Sequence, residues 1–244
     1  MKTMLRVRPR LEVLEDRCAP AVNILFDGSN LTITGDPGTT LLITQNPADV
    51  TVTDDFGAYG PYAVTGNITA ALTNTVAARS ITYALGANAA NGNVSISTGT
   101  VLGGNTVTVT GAGSIAGDFR VTGGNGSETV IIQEASIAGS VVLNLYGAYD
   151  AALVGTVTPV TIDGNLIGTG VNEFELFDNS SVGGHVILNS AGEIAAATNY
   201  FFDGGLGTES KVGGSVFIST GAVTGAGLFV FQGQIAGNLV ASLN

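Results

Sequence analysis

Residues able to do chemistry are few in this chain, and their spacing rarely brings them together. His185 is the one histidine and Cys18 the one cysteine. A nucleophilic relay needs a base beside its nucleophile and a third group to orient the base, and no Ser-His-Asp or Cys-His set can be assembled here. His185 instead follows a glycine, at a place held elsewhere by Asp118, Ser140, Asn165, Ser215 and Asn238, which reads as a solvent-side position at the start of a strand. Residues 111–116, GAGSIA, spell the dinucleotide fingerprint G-x-G-x-x-G/A. That chemistry needs a helix next, to hold a pyrophosphate at its N-terminus, but GDFRVTGG follows and reads as a turn and a strand. Glycoside hydrolysis asks for two carboxylates facing one groove, about 5.5 Å or about 6.5–9.5 Å apart. Asp54 with Asp55, and Glu173 with Glu175 on one strand face, are the nearest approaches to such a pair.

Two glycine-rich stretches, residues 123–128 (GGNGSE) and 204–209 (GGLGTE), resemble single copies of the calcium repeat G-G-x-G-x-D, with glutamate in the aspartate place. Calcium collects several oxygens from successive copies nine residues apart, whereas these lie 81 residues apart. They read first as turns. Glu128 and Glu209 are the metal candidates, calcium is the one ion the motif would take, and no other cofactor is implied.

Composition sets the elements that must carry these residues. The chain has 244 residues, 36 of them glycine, no tryptophan and 11% charged residues, and it is rich in Thr, Val and Asn. That is poor for helices and good for strands joined by tight turns. Net charge is −11, with Lys2, Arg6, Arg8, Arg10 and Arg17 supplying five of the eight basic residues. After residue 17 three basic residues face sixteen acidic ones, so no basic patch exists to neutralise phosphates and nucleic acid is not an expected partner. The lone cysteine excludes an internal disulfide framework and any multi-cysteine zinc site. No apolar run reaches the roughly 18 residues of a transmembrane helix.

A repeat organises the rest. Residues 114–117 and 136–139 are both SIAG, and variants recur at Val182-Gly183-Gly184, Val212-Gly213-Gly214 and Ile235-Ala236-Gly237. Counted from Gly66, Gly92, Gly117, Gly139, Gly164, Gly184, Gly214 and Gly237, the spacings are 26, 25, 22, 25, 20, 30 and 23 residues. Each glycine precedes an alternating strand, which places Val94 and Ile96, Phe119 and Val121, Val141 and Leu143, Val186 and Leu188, and Val216 and Ile218 inward as stacked ladders. A second strand follows in each unit, as at 107–109, 130–132, 174–177, 200–202 and 228–231. Alanine-rich stretches at 70–85 and 193–197 admit a helical reading that the strand propensity around them outweighs. The expectation is an all-β fold, a right-handed parallel β-helix (β-solenoid) of about seven coils of 20–30 residues. Residues 1–21 form a leader, 22–65 a strand-rich cap or first coil, and 66–244 the repeat domain.

Between the inward positions of the glycine-opened strands stand Ser95, Arg120, Val142, Ile167, Ile187, Phe217 and Val240. The last five are apolar where a solvated face should be polar, so either a loop such as residues 192–211 or another chain is expected to cover them. The sequence stops after the first strand of a unit, and an open solenoid end is a second route to self-association.

Residues 10–21, RLEVLEDRCAPA, resemble the LEPR/LEDR-type N-terminal motif of large bacterial surface and secreted proteins, carried by Leu11, Glu12, Leu14, Glu15, Asp16, Arg17, Pro20 and Ala21. The resemblance implies export or surface sorting, with processing near Pro20-Ala21. Residues 92–99 (GNVSISTG) and 117–124 (GDFRVTGG) resemble the β-strand repeats of bacterial surface proteins and adhesins. Together they imply a non-enzymatic structural or adhesive protein of the cell surface or extracellular matrix, with a cell-envelope polymer or surface protein as partner. Two other readings stand beside it: a carbohydrate-active β-helix, hydrolase or lyase, and a calcium-stabilised surface solenoid.

Overall fold

The computed structural model describes residues 22–73, 78–99, 103–147, 149–190, 199–202, 209–220 and 228–243. Among them there is no helix, and the strands assemble into three long sheets. From Ile68–Leu72 onward the chain visits the three sheets in turn. That strand lies in the first sheet, Arg79–Ala84 in the second and Ala89–Ala90 in the third, after which Val94–Ser97 returns to the first beside Ile68–Leu72. The cycle continues to Leu239–Leu243, and every pairing along it is parallel. The protein is therefore all-β, with a β-solenoid-like connectivity.

Period-two alternation fixes which side chains face inward. In the first sheet Val94, Phe119, Val141, Leu166, Val186 and Val216 are in register from strand to strand, and all are buried. The parallel ladder Ile96, Val121, Leu143, Gly168, Leu188 and Ile218 is interrupted only by Gly168, where a Cβ would press on Val171 and Leu188. The second sheet answers with Val107 and Val109, Val130 and Ile132, Phe174 and Leu176, and Tyr200 and Phe202. Phe174, Phe202 and Phe231 stack along this sheet with ring centroids 5.2 Å apart at each step. Each such side chain contributes roughly 1.5–3 kcal/mol on burial. A single turn of chain could not hide its own inner face.

The third sheet consists of two-residue strands, including Ser114–Ile115, Ser136–Ile137 and Thr161–Ile162. Each sends one side chain inward: Ile115, Ile137, Ile162 and Val182 are all fully or nearly fully buried. The repeated SIAG word is this short side of the unit.

The N-terminal residues belong to the same sheets. Val22–Phe26 runs antiparallel to Leu31–Gly35 at one edge of the first sheet, and Thr40–Gln45, Val50–Asp54 and Gly57–Tyr62 form an antiparallel meander at the edge of the second. Strands occupy Ile68–Leu72 and Arg79–Ala84 within the alanine-rich stretch 70–85, while 193–197 lies outside the described residues.

The glycines that open each unit stack directly. Gly139 N–H donates to Gly117 O (3.1 Å), Gly164 N–H to Gly139 O (3.0 Å) and Gly184 N–H to Gly164 O (2.9 Å). A Cβ on Gly164 would lie 2.6 Å from Gly139 O and 2.6 Å from Ser140 Oγ. Gly164→Ala is expected to lower unfolding free energy by about 1–3 kcal/mol, because the Gly139 backbone, which cannot rotate away as Ser140 Oγ can, blocks the added methyl. Denaturant unfolding of the two proteins checks this; an unchanged midpoint would show that the corner can open without loss.

Candidate functional site

The residue after each opening glycine builds a continuous polar ladder. Its side chain accepts a hydrogen bond from the backbone N–H at the same position of the next unit. Asn30 Oδ1 accepts from Asn67 N–H (2.8 Å), Asn67 Oδ1 from Asn93 (2.9 Å), Asn93 Oδ1 from Asp118 (2.7 Å) and Asp118 Oδ1 from Ser140 (2.8 Å). Ser140 Oγ accepts from Asn165 (3.0 Å), Asn165 Oδ1 from His185 (2.8 Å), His185 Nδ1 from Ser215 (2.9 Å) and Ser215 Oγ from Asn238 (3.0 Å). Neighbouring strands are about 4.8 Å apart, which is the reach of a short side chain with an acceptor at its tip. His185 fills the same place through Nδ1. It is a rung of the ladder like the others.

The outer face of the first sheet carries the apolar stripe. Arg120, Val142, Ile167, Ile187, Phe217 and Val240 are cross-strand partners in unbroken register. Val142 and Ile167 are half-buried, whereas Ile187, Phe217 and Val240 are 37%, 39% and 49% exposed. The stripe starts at Arg120, which is tied to Asp118 at 2.6 Å, and the His185 ring lies 5.9 Å from that of Phe217. A parallel sheet normally has both faces covered. Residues 191–198 and 203–208, which hold most of the expected covering loop, lie outside the described residues.

A second polar column runs through the corner where the second sheet begins. Arg79, Asn105 and Glu128 are in register, and Asp150 and Asn172 continue the column; all five are buried. Arg79 pairs with Asp36 at 2.6 Å and also donates to Thr73 O. Glu128, expected on a turn, is 0% exposed. The glycine-rich stretch 123–127 folds over its side chain, and a Cβ on Gly123 would lie 2.8 Å from Glu128 Oε2. Glu128 Oε1 accepts from Gly124 N–H (3.2 Å), Asn105 Nδ2 (3.1 Å) and Thr98 Oγ1 (3.4 Å), while Oε2 accepts nothing. Asp150, likewise 0% exposed, accepts from Glu128 N–H and from Gly147 N–H, each at 2.7 Å, one on each oxygen. Burial, with the Asp150 charge added, pushes the Glu128 carboxyl up to about 7. Burial also raises Asp150, but its two backbone donors favour the ionised form.

The other sequence candidates are dispersed. Glu209 is exposed and accepts from Gln234 Nε2 (2.5 Å) ahead of a third-sheet strand, whereas Glu128 opens a second-sheet strand. The two glutamates thus stand at different sheets, and residues 203–208 lie outside the described residues. Glu173 and Glu175 project from the outer face of the second sheet, alternating with buried Phe174 and Leu176. Tyr149 donates to Glu173 Oε2 (2.5 Å), and that bond together with burial pushes the phenol up to about 12. Burial and the Glu173 charge raise Glu175. Asp54 and Asp55 build turns: Asp54 caps Phe56 and Gly57 N–H, and Asp55 accepts from Thr39 and Thr40. The strand Ser114–Ile115 follows Gly111, so the dinucleotide-like stretch is a corner. Cys18 and the leader residues lie outside the described residues.

No protein family, curated protein or solved structure matches the chain.

Two features escaped the sequence: the side-chain bonding along the corner ladder, and Asp150 as the partner of Glu128. The recurrent Asn, Asp, Ser or His after each opening glycine was the available signal for the first. The ladder predicts that His185→Asn keeps wild-type stability while His185→Leu loses about 1 kcal/mol, the net worth of one hydrogen bond. Chemical denaturation of the three proteins at neutral pH separates these; equal losses for both variants would show that the ring, not its acceptor, is what the corner needs.

Proposed function

We propose that this chain is an exported structural or adhesive protein of the cell surface or extracellular matrix, without enzymatic activity of its own. Its body is a right-handed β-solenoid of seven coils, running from Ile68–Leu72 to Gln234–Ile235. The cyclic order of strands through three sheets supports the coil count. The steric preference for right-handed crossovers between parallel strands supports the handedness.

The observation that carries the reading is the in-register stripe from Val142 to Val240 on a parallel sheet. Its exposed members form a row, not a pocket, so the surface suits a long flat contact more than a small molecule. A second copy laid across the same stripe is the simplest occupant, because a two-fold contact requires only one self-complementary patch. Export rests on the leader, whose residues Leu11, Glu12, Leu14, Glu15, Asp16, Arg17, Pro20 and Ala21 resemble a surface-sorting signal.

Two measurements test this. Fractionation of native cells is expected to recover the protein from envelope or medium with a first residue near Ala21; an intact cytoplasmic chain beginning at Met1 would make it an intracellular scaffold. Sedimentation of the purified protein is expected to show a concentration-dependent oligomer that Phe217→Asp dissociates. A monomeric wild type, with Phe217→Asp acting only to lower its melting temperature, would assign the stripe to cover within the chain.

A further inference from the structure

The corner column contains an imbalance that neither a structural nor an adhesive role explains. Two carboxyl groups at successive positions of the column, Glu128 and Asp150, are both fully buried, and Asp150 Oδ1 accepts the backbone N–H of Glu128 at 2.7 Å. Buried charges are tolerated when paired with opposite charge, and among the described residues no cation is adjacent. From the strand on one side Asn105 faces the pair and is neutral; beyond it Arg79 stands about 10 Å away by strand spacing and is committed to Asp36 and Thr73. From the strand on the other side comes Asn172, also neutral. From the end of the first sheet comes the hydroxyl of Thr98. The overlying loops supply Gly124 and Gly147 N–H, and Tyr149 turns its hydroxyl out to Glu173. Glu175 lies on the outer face of the second sheet.

The donors are unevenly distributed. Both Asp150 oxygens accept backbone N–H groups, and Glu128 Oε1 accepts three hydrogen bonds, but buried Glu128 Oε2 accepts none. An oxygen with no donor near a second carboxylate is satisfied if it carries the proton itself and donates it. A proton also needs no space, where Gly123 already packs against this oxygen closely enough to exclude a methyl group.

We infer that Glu128 and Asp150 share a single proton, held on Glu128 Oε2 and donated toward Asp150, and that this proton clasps two successive corners of the solenoid as a pH-sensitive lock. In mildly acidic surroundings the lock is closed. At alkaline pH the proton is lost, two anions face each other in the core, and the corner loosens. The sign follows from linkage: Glu128 binds its proton more tightly folded than unfolded, so its contribution is full below the ordinary carboxylate range and is lost as pH rises through about 7.

The test is thermal unfolding of the full chain across about pH 4.5 to about pH 8.5, with chelator present, for wild type, Glu128→Gln and Asp150→Asn. Glutamine has the shape of the protonated acid and donates permanently. Wild type is expected to lose roughly 5–10 °C over this range, while Glu128→Gln loses little of it and melts above wild type at the alkaline end. Glu128→Gln following the wild-type profile, or melting below it at every pH, would overturn the inference. Should either variant fail to fold, infrared spectroscopy of the wild type reads the same group: a neutral carboxylic acid band persisting at about pH 6 is expected, and its absence overturns the lock. Calcium added without chelator is expected to leave the alkaline melting temperature unchanged; a rise that Glu128→Gln abolishes would place a cation where the proton is placed here.

Discussion

The structure depends on how closely one unit lies on the next at the glycine corner. There the backbone of Gly164 hydrogen-bonds to Gly139, that of Gly184 to Gly164 and that of Gly214 to Gly184, at 3.0, 2.9 and 2.8 Å. With no Cβ between them, successive corners settle at strand spacing, so the strands that leave each corner start level. Level starts bring the inward residues of the first sheet into a common register, and a ladder such as Phe119 on Val141 on Leu166 is the consequence. The polar residue after the glycine reinforces the same register from outside. Because its acceptor reaches exactly one strand, a slip by one residue would unpair the ladder and turn every core side chain to solvent at once.

The second sheet starts at a corner of different chemistry. Arg79, Asn105, Glu128, Asp150 and Asn172 place polar groups in the interior where the first sheet places glycine and a solvent-facing ladder. Such a column is tolerable only if nearly every group is bonded. At its start the terminal nitrogens of Arg79 bond Asp36 and Thr73 O, and in its middle the backbone N–H groups of Gly124, Glu128 and Gly147 are drawn inward, which leaves Arg79 Nε, Asn105 Oδ1 and Glu128 Oε2 as the column's unbonded atoms. The glycine-rich stretch before Glu128 is thus not a surface ornament. Gly123 and Gly124, without side chains, let the backbone come close to the buried carboxyl and Gly124 donate to it directly.

This division explains what was legible in the sequence. The strands after the opening glycines were legible because period two and the glycine mark both register and face, as with Val141 and Leu143. The apolar stripe was legible for the same reason, since its members are the alternate positions of those strands. The third sheet was legible only as a repeated word, because a two-residue strand such as Ser136–Ile137 contributes one buried side chain and has no period to detect. Glu128 was read as a turn residue, since Gly-Gly-Asn-Gly-Ser looks solvated, and its burial is set by contacts with Asn105 and Asp150, each more than twenty positions away. His185 showed its position but not its bond. Alignment with Asn165 and Ser215 reveals equivalence, whereas the direction of Nδ1 is a tertiary fact.

The same periodicity creates a tension on the outer face of the first sheet. A position between two core residues in a parallel strand gains stability from a β-branched or aromatic side chain, through contact with the neighbours above and below, whether or not water is excluded. Val142 and Ile167 fit that account, being half-buried by one another. Ile187 and Phe217 do not, since they are more exposed although each has a large apolar neighbour on both sides; Val240 lies on the edge strand Leu239–Leu243, beside Phe217 alone among the described residues. The outer face of the second sheet mixes threonine, at Thr82 and Thr108, with Ile131, Leu153 and Phe201 in the same row, and these three are half-buried. The two faces therefore differ less in residue type than in exposure, and Glu175 interrupts the apolar row of the second sheet where the row of the first sheet runs on. On the first sheet the row is apolar over five successive strands, from Val142 to Val240, and water reaches it most at the end that holds Ile187, Phe217 and Val240.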